Sequence, residues 1–216
     1  MTDFAVLREA MVERQIAARG LHDGPLLAAM RAVPREAFVP PAVREQAYED
    51  GPLPIGAGQT ISQPYIVALM IAAAGVAPGH QVLEIGAGSG YDAAVLSRIA
   101  GNVVAIERHG ELADLAAARL AALGYANVRI VTGDGSAGWP DGAPYDAILA
   151  AASGRHVPEP LKWQLRIGGA LVMPIGPPGE MQSLVRVTRQ ADDLWEQENL
   201  GPVRFVPLIG EEGWQE

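Results

Sequence analysis

The segment Val82–Tyr91, VLEIGAGSGY, constrains the fold of this chain more than any other stretch. Its first residues have the apolar character of a buried parallel strand, and Gly86, Gly88 and Gly90 then occupy every second position before an apolar run begins. This order predicts a strand, a turn with almost no side chains, and a helix. Such a turn exposes backbone N–H groups at the start of a helix, so a ligand can approach the main chain closely.

From residue 78 onwards, strand-like and helix-like segments alternate, which is typical of a parallel sheet covered by helices on both faces. We therefore expect an α/β, Rossmann-like, mostly parallel sheet with antiparallel strands at one edge. The predicted strands are 81–85, 103–107, 128–131, 145–150 and 170–174, the helices between them are about 91–99, 111–123 and 159–165, and the edge strands are 183–188 and 203–208.

The part of the chain before this alternation predicts a helical and loop extension. Its patterns favour a helix over 4–19 ending at Gly20, a short helix over 25–30 capped by Asp23, a proline-rich connector at 33–41, a Gly/Pro-rich loop at 48–64 and a helix from Pro64 or Tyr65. We expect one domain of 216 residues, made of this extension (1–77), a core (78–176) and C-terminal edge strands (177–216).

Composition and charge argue against some classes of binding partner. The formal net charge of −9 argues against a broad nucleic-acid-binding surface, and no apolar run is long enough to span a membrane. There are no cysteines, and nothing near His109 or His156 supplies a metal-binding set, so we expect no metal and take both histidines as surface or loop residues. Without a signal-peptide pattern, we expect a cytoplasmic protein with no membrane or nucleic-acid partner. The sequence does not give the oligomeric state, and we favour a monomer.

Acidic residues end the strands on either side of the glycine turn. Ligands in open α/β sheets bind beyond the carboxyl ends of the strands, where Glu107 could accept hydrogen bonds from both hydroxyls of a ribose. Asp134 lies between two glycines and could accept from an adenine amino group or form an Asx turn, and the sequence alone does not separate these possibilities. Together with Glu84, the G-x-G-x-G turn and Glu107 resemble the S-adenosyl-L-methionine (SAM) pocket of Rossmann-like methyltransferases, whose product is S-adenosyl-L-homocysteine (SAH).

Other segments resemble one family of these enzymes, the protein-L-isoaspartate O-methyltransferases. They are MVERQI at 11–16, VPREAFVP at 33–40, AYED at 47–50, GQTISQPYIVA at 58–68, EIGAGSGY at 84–91 and GDG at 133–135, and the similarity continues through FVPL at 205–208. The resemblance implies methyl transfer from SAM to the α-carboxylate of isoaspartyl residues in damaged proteins or peptides. The methyl ester then collapses to a succinimide, which reopens partly to normal aspartate.

The same resemblance implies roles for particular residues. It gives Ser62 as the catalytic residue that orients the substrate carboxylate, and it places substrate against Ser62 and Val206. A hydroxyl at this loop–helix junction could instead be a helix N-cap. The implied cofactor-binding residues are Gln59, Thr60, Ile61, Ser62, Glu84, Gly86, Ala87, Gly88, Gly90, Glu107, Arg108, Asp134 and Gly135.

The chain departs from the family pattern at Ala87, Asp92 and Ala151. Relatives usually have Thr at the first of these positions and Gln at the second, and bacterial relatives often have Thr at the third. The missing hydroxyls could weaken contacts to SAM or substrate, whereas Asp92 could stabilise the start of its helix. Two alternatives to the repair enzyme therefore stay open, a SAM-dependent methyltransferase with a different dedicated acceptor and a catalytically idle SAM-binding relative.

Overall fold

The structure is a computed structural model that describes residues 2–215. Its strands are β1 (Leu53–Gly56), β2 (Gln59–Ile61), β3 (Gln81–Ile85), β4 (Asn102–Glu107), β5 (Val128–Thr132), β6 (Tyr145–Ala150), β7 (Leu165–Ile175), β8 (Gln182–Ala191) and β9 (Leu194–Val203). Its α-helices are α1 (Phe4–Met11), α2 (Gly24–Ala32), α3 (Pro64–Ala73), α4 (Tyr91–Ser97), α5 (Gly110–Ala122) and α6 (Glu159–Trp163).

A seven-stranded sheet with the order β5-β4-β3-β6-β7-β8-β9 forms the centre of the molecule. The first five strands of this order run parallel to one another, while β8 and β9 add as antiparallel edge strands. The prediction of a mostly parallel α/β sheet with an antiparallel edge is confirmed. Strand order reverses between β3 and β6, and ligands of open α/β sheets bind in the crevice at such a point.

The N-terminal extension is helical and packs on the core of the sheet. A π-helical turn (Val12–Ile16) and a 3₁₀ turn (Ala17–Arg19) continue α1, and the helical run ends at Gly20 with φ of 94°, as its position predicts. The Asp23 carboxylate accepts the Leu26 N–H at 2.8 Å and caps α2. Met11, Val12 and Ile16 join one apolar cluster with residues of α3, α4 and the sheet, so extension and sheet share a core.

Several predicted boundaries were wrong. The Gly/Pro-rich segment 48–64 contains the antiparallel hairpin β1–β2, whose turn depends on positive φ at residues 56–58. The final helix ends at Trp163, and β7 begins at Leu165, earlier than predicted. The last strand is β9 rather than 203–208, because the turn at Asp192 and Asp193 reverses the chain directly into a polar edge strand that pairs along β8.

The segment after β9 therefore leaves the sheet. Residues 204–209 carry isolated bridges only, one of them between Pro207 and Ser153, which follows β6. Leu208 is buried in an apolar cluster with residues of β3, β6, β7 and β8, and Val206 packs against the same cluster. The apolar pattern at 203–208 thus reflects packing across the end of the sheet rather than strand pairing. No helix within residues 2–215 is both long and apolar enough to cross a membrane.

Candidate active site

The glycine turn connects β3 to α4, as the sequence predicts. Gly86 and Gly88 have φ of 86° and 52°, values that residues with a side chain rarely adopt. A Cβ added to Gly88 would lie 3.0 Å from Ile55 Cδ1, on the β1–β2 hairpin. The turn must therefore be free of side chains both for its backbone shape and because the hairpin packs closely over it.

Glu107, at the end of β4, fixes this turn. The residue is 4% exposed, and its two carboxylate oxygens accept the Gly88 N–H at 2.8 Å and the His109 N–H at 2.9 Å. The side chain therefore links the glycine turn to the residue that precedes α5. A carboxylate oxygen has a second lone pair, so these bonds leave acceptor capacity for a ligand. The sequence pointed to Glu107 as a ligand acceptor, but not to this bond with the turn.

A cavity of about 310 Å³ opens at the carboxyl ends of β3 and β4. We call it the turn cavity. Its lining includes seven of the predicted cofactor residues, Gln59, Thr60, Gly86, Gly88, Glu107, Arg108 and Gly135. A Cβ on Gly135 would overlap the Ile85 side chain, so a glycine is required for this wall to lie close to β3. His109 is a loop residue, as expected, but it also lines this cavity, with its Nε2 3.4 Å from Gln59 Nε2.

A second cavity, of about 580 Å³, lies beside the first and contains Ser62. We call it the serine cavity. It extends between the start of α3 and the segment that follows β9, and Val206 is part of its wall. The two cavities share Thr60, Ala151, Val206 and Pro207 in their linings, so they meet at these residues. A ligand in the turn cavity and one in the serine cavity would touch across this junction.

Ser62 does not cap the helix that it precedes. α3 begins at Pro64 directly after Gln63, and no side chain caps its first turn. The Ser62 hydroxyl therefore does not act as a helix N-cap, which was its alternative role. The side chain is half-buried in the wall of the serine cavity, where it can donate to a ligand.

Arg35 holds the backbone of Ser62 in place. Its guanidinium is fully buried, and it donates from Nη2 to the Ser62 carbonyl and from Nε to the Ala47 carbonyl, each at 2.7 Å. The guanidinium carbon also lies 4.9 Å from the centre of the Tyr91 ring, at the start of α4. The segment around Arg35 was predicted as a proline-rich connector and as part of the family resemblance, but no role was predicted for Arg35 itself, because its contacts with residues 12 to 56 positions away leave no local pattern.

Glu84 and Asp92 form an acidic pair near the turn, outside both cavity linings. Neither oxygen of the buried Glu84 carboxylate has a hydrogen-bond partner within residues 2–215. Burial, with the negative charges of Asp92 and Glu107, raises the pKa of Glu84 well above its usual value. Burial also raises the pKa of Asp92 to about 6, although the positive charge of Arg35 acts in the opposite direction.

Asp134 forms the Asx turn that was one of its two possible roles. Its Oδ1 accepts the Ser136 N–H at 2.8 Å, and its Oδ2 accepts the Glu211 N–H at 2.8 Å, which ties the C-terminal segment to β5. Asp134 is absent from the linings of both cavities, unlike its neighbour Gly135. Ile61, Ala87 and Gly90 are likewise absent from these linings, so their predicted contact with a cofactor stays a prediction.

The two alanines that depart from the family pattern lie in different surroundings. Ala87 is 4% exposed and packs in the main apolar cluster. Ala151, in contrast, lies at the junction of the two cavities, and its Cβ would be 3.7 Å from a Cβ on Gly86. Of the two hydroxyls that this chain lacks, the one at position 151 would therefore lie next to a ligand at the junction, whereas one at position 87 would not.

Comparisons with known proteins show which family this chain resembles over nearly its whole length. The model of the protein-L-isoaspartate(D-aspartate) O-methyltransferase family matches residues 7–213. Protein-L-isoaspartate O-methyltransferase 1 of Rhodopseudomonas palustris (strain HaA2) is 63% identical over 213 residues, which cover 99% of this chain and 87% of that protein. The protein-L-isoaspartate O-methyltransferase of Methylorubrum extorquens (strain PA1) is 59% identical over 207 residues, covering 96% of this chain and 90% of that protein.

Solved structures give the same result. A protein-L-isoaspartate O-methyltransferase structure superposes with a TM-score of 0.86 at 32% identity, covering 95% of this chain and 67% of the other. A beta-aspartate methyltransferase from Plasmodium falciparum, solved with SAH bound, superposes with a TM-score of 0.80 at 24% identity, covering 94% of this chain and 98% of the other, and supports the fold. Since the family model spans nearly the whole sequence and the relatives are this similar over nearly their full length, the chain belongs to the protein-L-isoaspartate(D-aspartate) O-methyltransferase family.

Proposed function

We infer that this protein is a SAM-dependent carboxyl methyltransferase that methylates the α-carboxylate of L-isoaspartyl residues in damaged proteins and so starts their repair. The observation that carries this function is the junction of the two cavities at Thr60, Ala151, Val206 and Pro207. A methyl group can pass from a donor in the turn cavity to an acceptor in the serine cavity only where the two meet. Membership of the family gives the chemistry of the donor and the acceptor.

The turn cavity has the features that SAM binding requires. Its volume of about 310 Å³ lies within the range of small-molecule pockets, roughly 300–1,000 Å³. The glycine turn allows the cofactor to approach backbone N–H groups, and the remaining lone pairs of Glu107 can accept from ribose hydroxyls. When bound, SAM supplies a methyl group on a positively charged sulfur, which leaves as a neutral thioether when the methyl is transferred.

The acceptor needs no general base. A carboxylic acid with a pKa of about 4 is already ionised at neutral pH, so an oxygen lone pair is free to attack the methyl carbon. The task of the protein is alignment and exclusion of water. We propose that the Ser62 hydroxyl donates to one carboxylate oxygen and turns the other toward the junction, while Arg35 fixes Ser62 through its backbone carbonyl.

The whole chain is proposed to act as one methyltransferase domain, because a single apolar cluster joins the N-terminal extension to the sheet. Val206 is proposed to contact substrate, since it lines the serine cavity at the junction. The cytoplasmic location, the monomeric state and the absence of a nucleic-acid partner stay predictions from the sequence.

Mass spectrometry of the product tests the proposed function. An isoaspartyl peptide incubated with the protein and SAM should gain the mass of one methylene at the isoaspartyl residue, then lose methanol to give the succinimide, and finally yield some aspartyl peptide. Methylation at another residue would indicate a different dedicated acceptor. No methylation, despite binding of SAH, would indicate an idle relative.

A further inference from the structure

The wall of the serine cavity has one ionisable side chain among the residues that line it, and that side chain is positive. Arg204 belongs to the segment that follows β9, and its side chain is exposed at the cavity. Within residues 2–215 it takes part in no salt bridge of 4.0 Å or less and in no side-chain hydrogen bond. Its guanidinium is therefore available to a ligand.

We propose that Arg204 makes the enzyme selective for isoaspartyl sites that have an acidic residue beside them. This inference rests on the proposed function and names a substrate class for the same site. A guanidinium binds carboxylates through paired hydrogen bonds, and here no internal carboxylate occupies it.

The surroundings of Arg204 support a role in recognition. Asp50, two residues before the wall residue Pro52, is already bound by Arg19 and by Gln63, so its charge is locally balanced. The protein as a whole carries a formal net charge of −9, which disfavours the approach of an acidic peptide. A local cation at the cavity is therefore the feature that would offset this repulsion for a carboxylate next to the damaged residue.

The reacting carboxylate is a less suitable partner for Arg204. Ion pairing with a guanidinium would withdraw electron density from the oxygen that must attack the methyl carbon. Arg204 is also exposed, whereas the reaction requires a place from which water is excluded. Ser62, half-buried in the same wall, meets that requirement better. Arg204 therefore binds the side chain of the residue that flanks the isoaspartate, rather than the reacting carboxylate.

Peptides that differ by a single charge test the proposal. Each peptide has one isoaspartyl residue and carries either Glu or Gln immediately before or immediately after it. For the wild-type protein, we expect kcat/KM to be about two- to fivefold higher with Glu than with Gln on at least one side, mainly through a lower KM. The preference should shrink as salt is added, because the Debye length falls to about 8 Å at physiological ionic strength.

Variants identify the residue responsible. In Arg204→Gln the ratio of kcat/KM for the Glu and Gln peptides should fall to about one, and in Arg204→Glu it should fall below one. Arg14→Gln is the matched control, since Arg14 is exposed, lies in the N-terminal helical run and lines neither cavity. This control removes the same charge and should keep the preference of the wild-type protein.

Other outcomes would overturn the proposal. They are equal kcat/KM for Glu and Gln peptides on both sides in the wild-type protein, a preference that survives in Arg204→Gln, or an equal loss for acidic and neutral peptides in that variant. Methylation of the peptides without any charge preference would refute this inference and leave the proposed function intact. Methylation of none of the peptides would refute both.

Discussion

Replacement of Glu107 by Gln separates the two roles that the structure gives to this side chain. The change keeps the shape of the group, but it removes the charge and replaces one acceptor oxygen by an NH₂ group. In the wild-type protein the two oxygens accept N–H groups of Gly88 and His109, at 2.8 and 2.9 Å. In the variant, one of these N–H groups would face another donor.

The expected size of the effect follows from these contacts. A hydrogen bond to a charged group is worth about 1.5–3 kcal/mol, so the free energy of unfolding without ligand should fall by roughly that amount. The dissociation constant for SAH should rise by about ten- to a hundredfold, because the ribose loses a charged acceptor and the glycine turn loses its anchor. Urea unfolding measures the first quantity, and calorimetric titration with SAH measures the second.

Glu111→Gln is the matched control. Glu111 lies in the first turn of α5, is exposed and lines neither cavity, so its loss of charge should leave SAH affinity within about twofold of the wild type. A Glu107→Gln protein that is less stable but binds SAH as tightly as the wild type would refute the reasoning. Glu107 would then be a structural residue of the turn, and the ribose would have to bind elsewhere.

Further predictions concern the other residues of the site. Ser62→Ala should lower kcat for an isoaspartyl peptide by about ten- to a hundredfold. SAH affinity and melting temperature should stay unchanged, since Ser62 caps no helix. An equal loss of activity and stability would contradict this prediction. Arg35→Lys should lower the free energy of unfolding by about 2–4 kcal/mol, because one ammonium nitrogen does not reproduce the fork in which Nε and Nη2 bond two separate carbonyls. Urea unfolding like that of the wild type would contradict this. The folded pKa of Asp92 is about 6, so the folded protein binds this proton more tightly than the unfolded protein does. The contribution of Asp92 to stability is therefore highest below about pH 4 and falls as the pH rises to about 6. Asp92→Asn should therefore reduce the loss of stability over this window and raise the free energy of unfolding at pH 7 by about 1–2 kcal/mol, whereas urea unfolding with an unchanged pH dependence would show that Asp92 carries no such penalty.

The features that could be predicted from the sequence depend on residues that are close together in the chain or on the order of the strands. The strand–turn–helix at 82–91 follows from apolar residues and glycines that are close in sequence. The Asp23 cap lies three residues from the N–H that it accepts. The position of Glu107 also follows from strand order, because the ends of neighbouring parallel strands meet at one edge of a sheet.

What the sequence did not predict depends on contacts between distant residues. The bond from Arg35 to Ser62 joins positions 27 residues apart, and the bond from Glu211 to Asp134 joins positions 77 apart. The β1–β2 hairpin was missed because its Gly and Pro residues are typical of loops. The apolar run at 203–208 looks like a strand, but it lies across the end of the sheet, where it helps to line both cavities. The serine cavity therefore could not be seen before the fold was known.

The central claim is that this site selects the α-carboxylate of isoaspartate, and its most direct test compares an isoaspartyl peptide with its aspartyl twin. An isoaspartyl link adds a methylene to the main chain and leaves the α-carboxylate on a short branch, whereas a normal aspartate holds its carboxylate one methylene further out. Since misplacement by about 1 Å can cost about a hundredfold in rate, we predict a kcat/KM at least about a hundredfold higher for the isoaspartyl peptide. Comparable values for the two peptides, or methylation of neither while SAH still binds, would contradict the account.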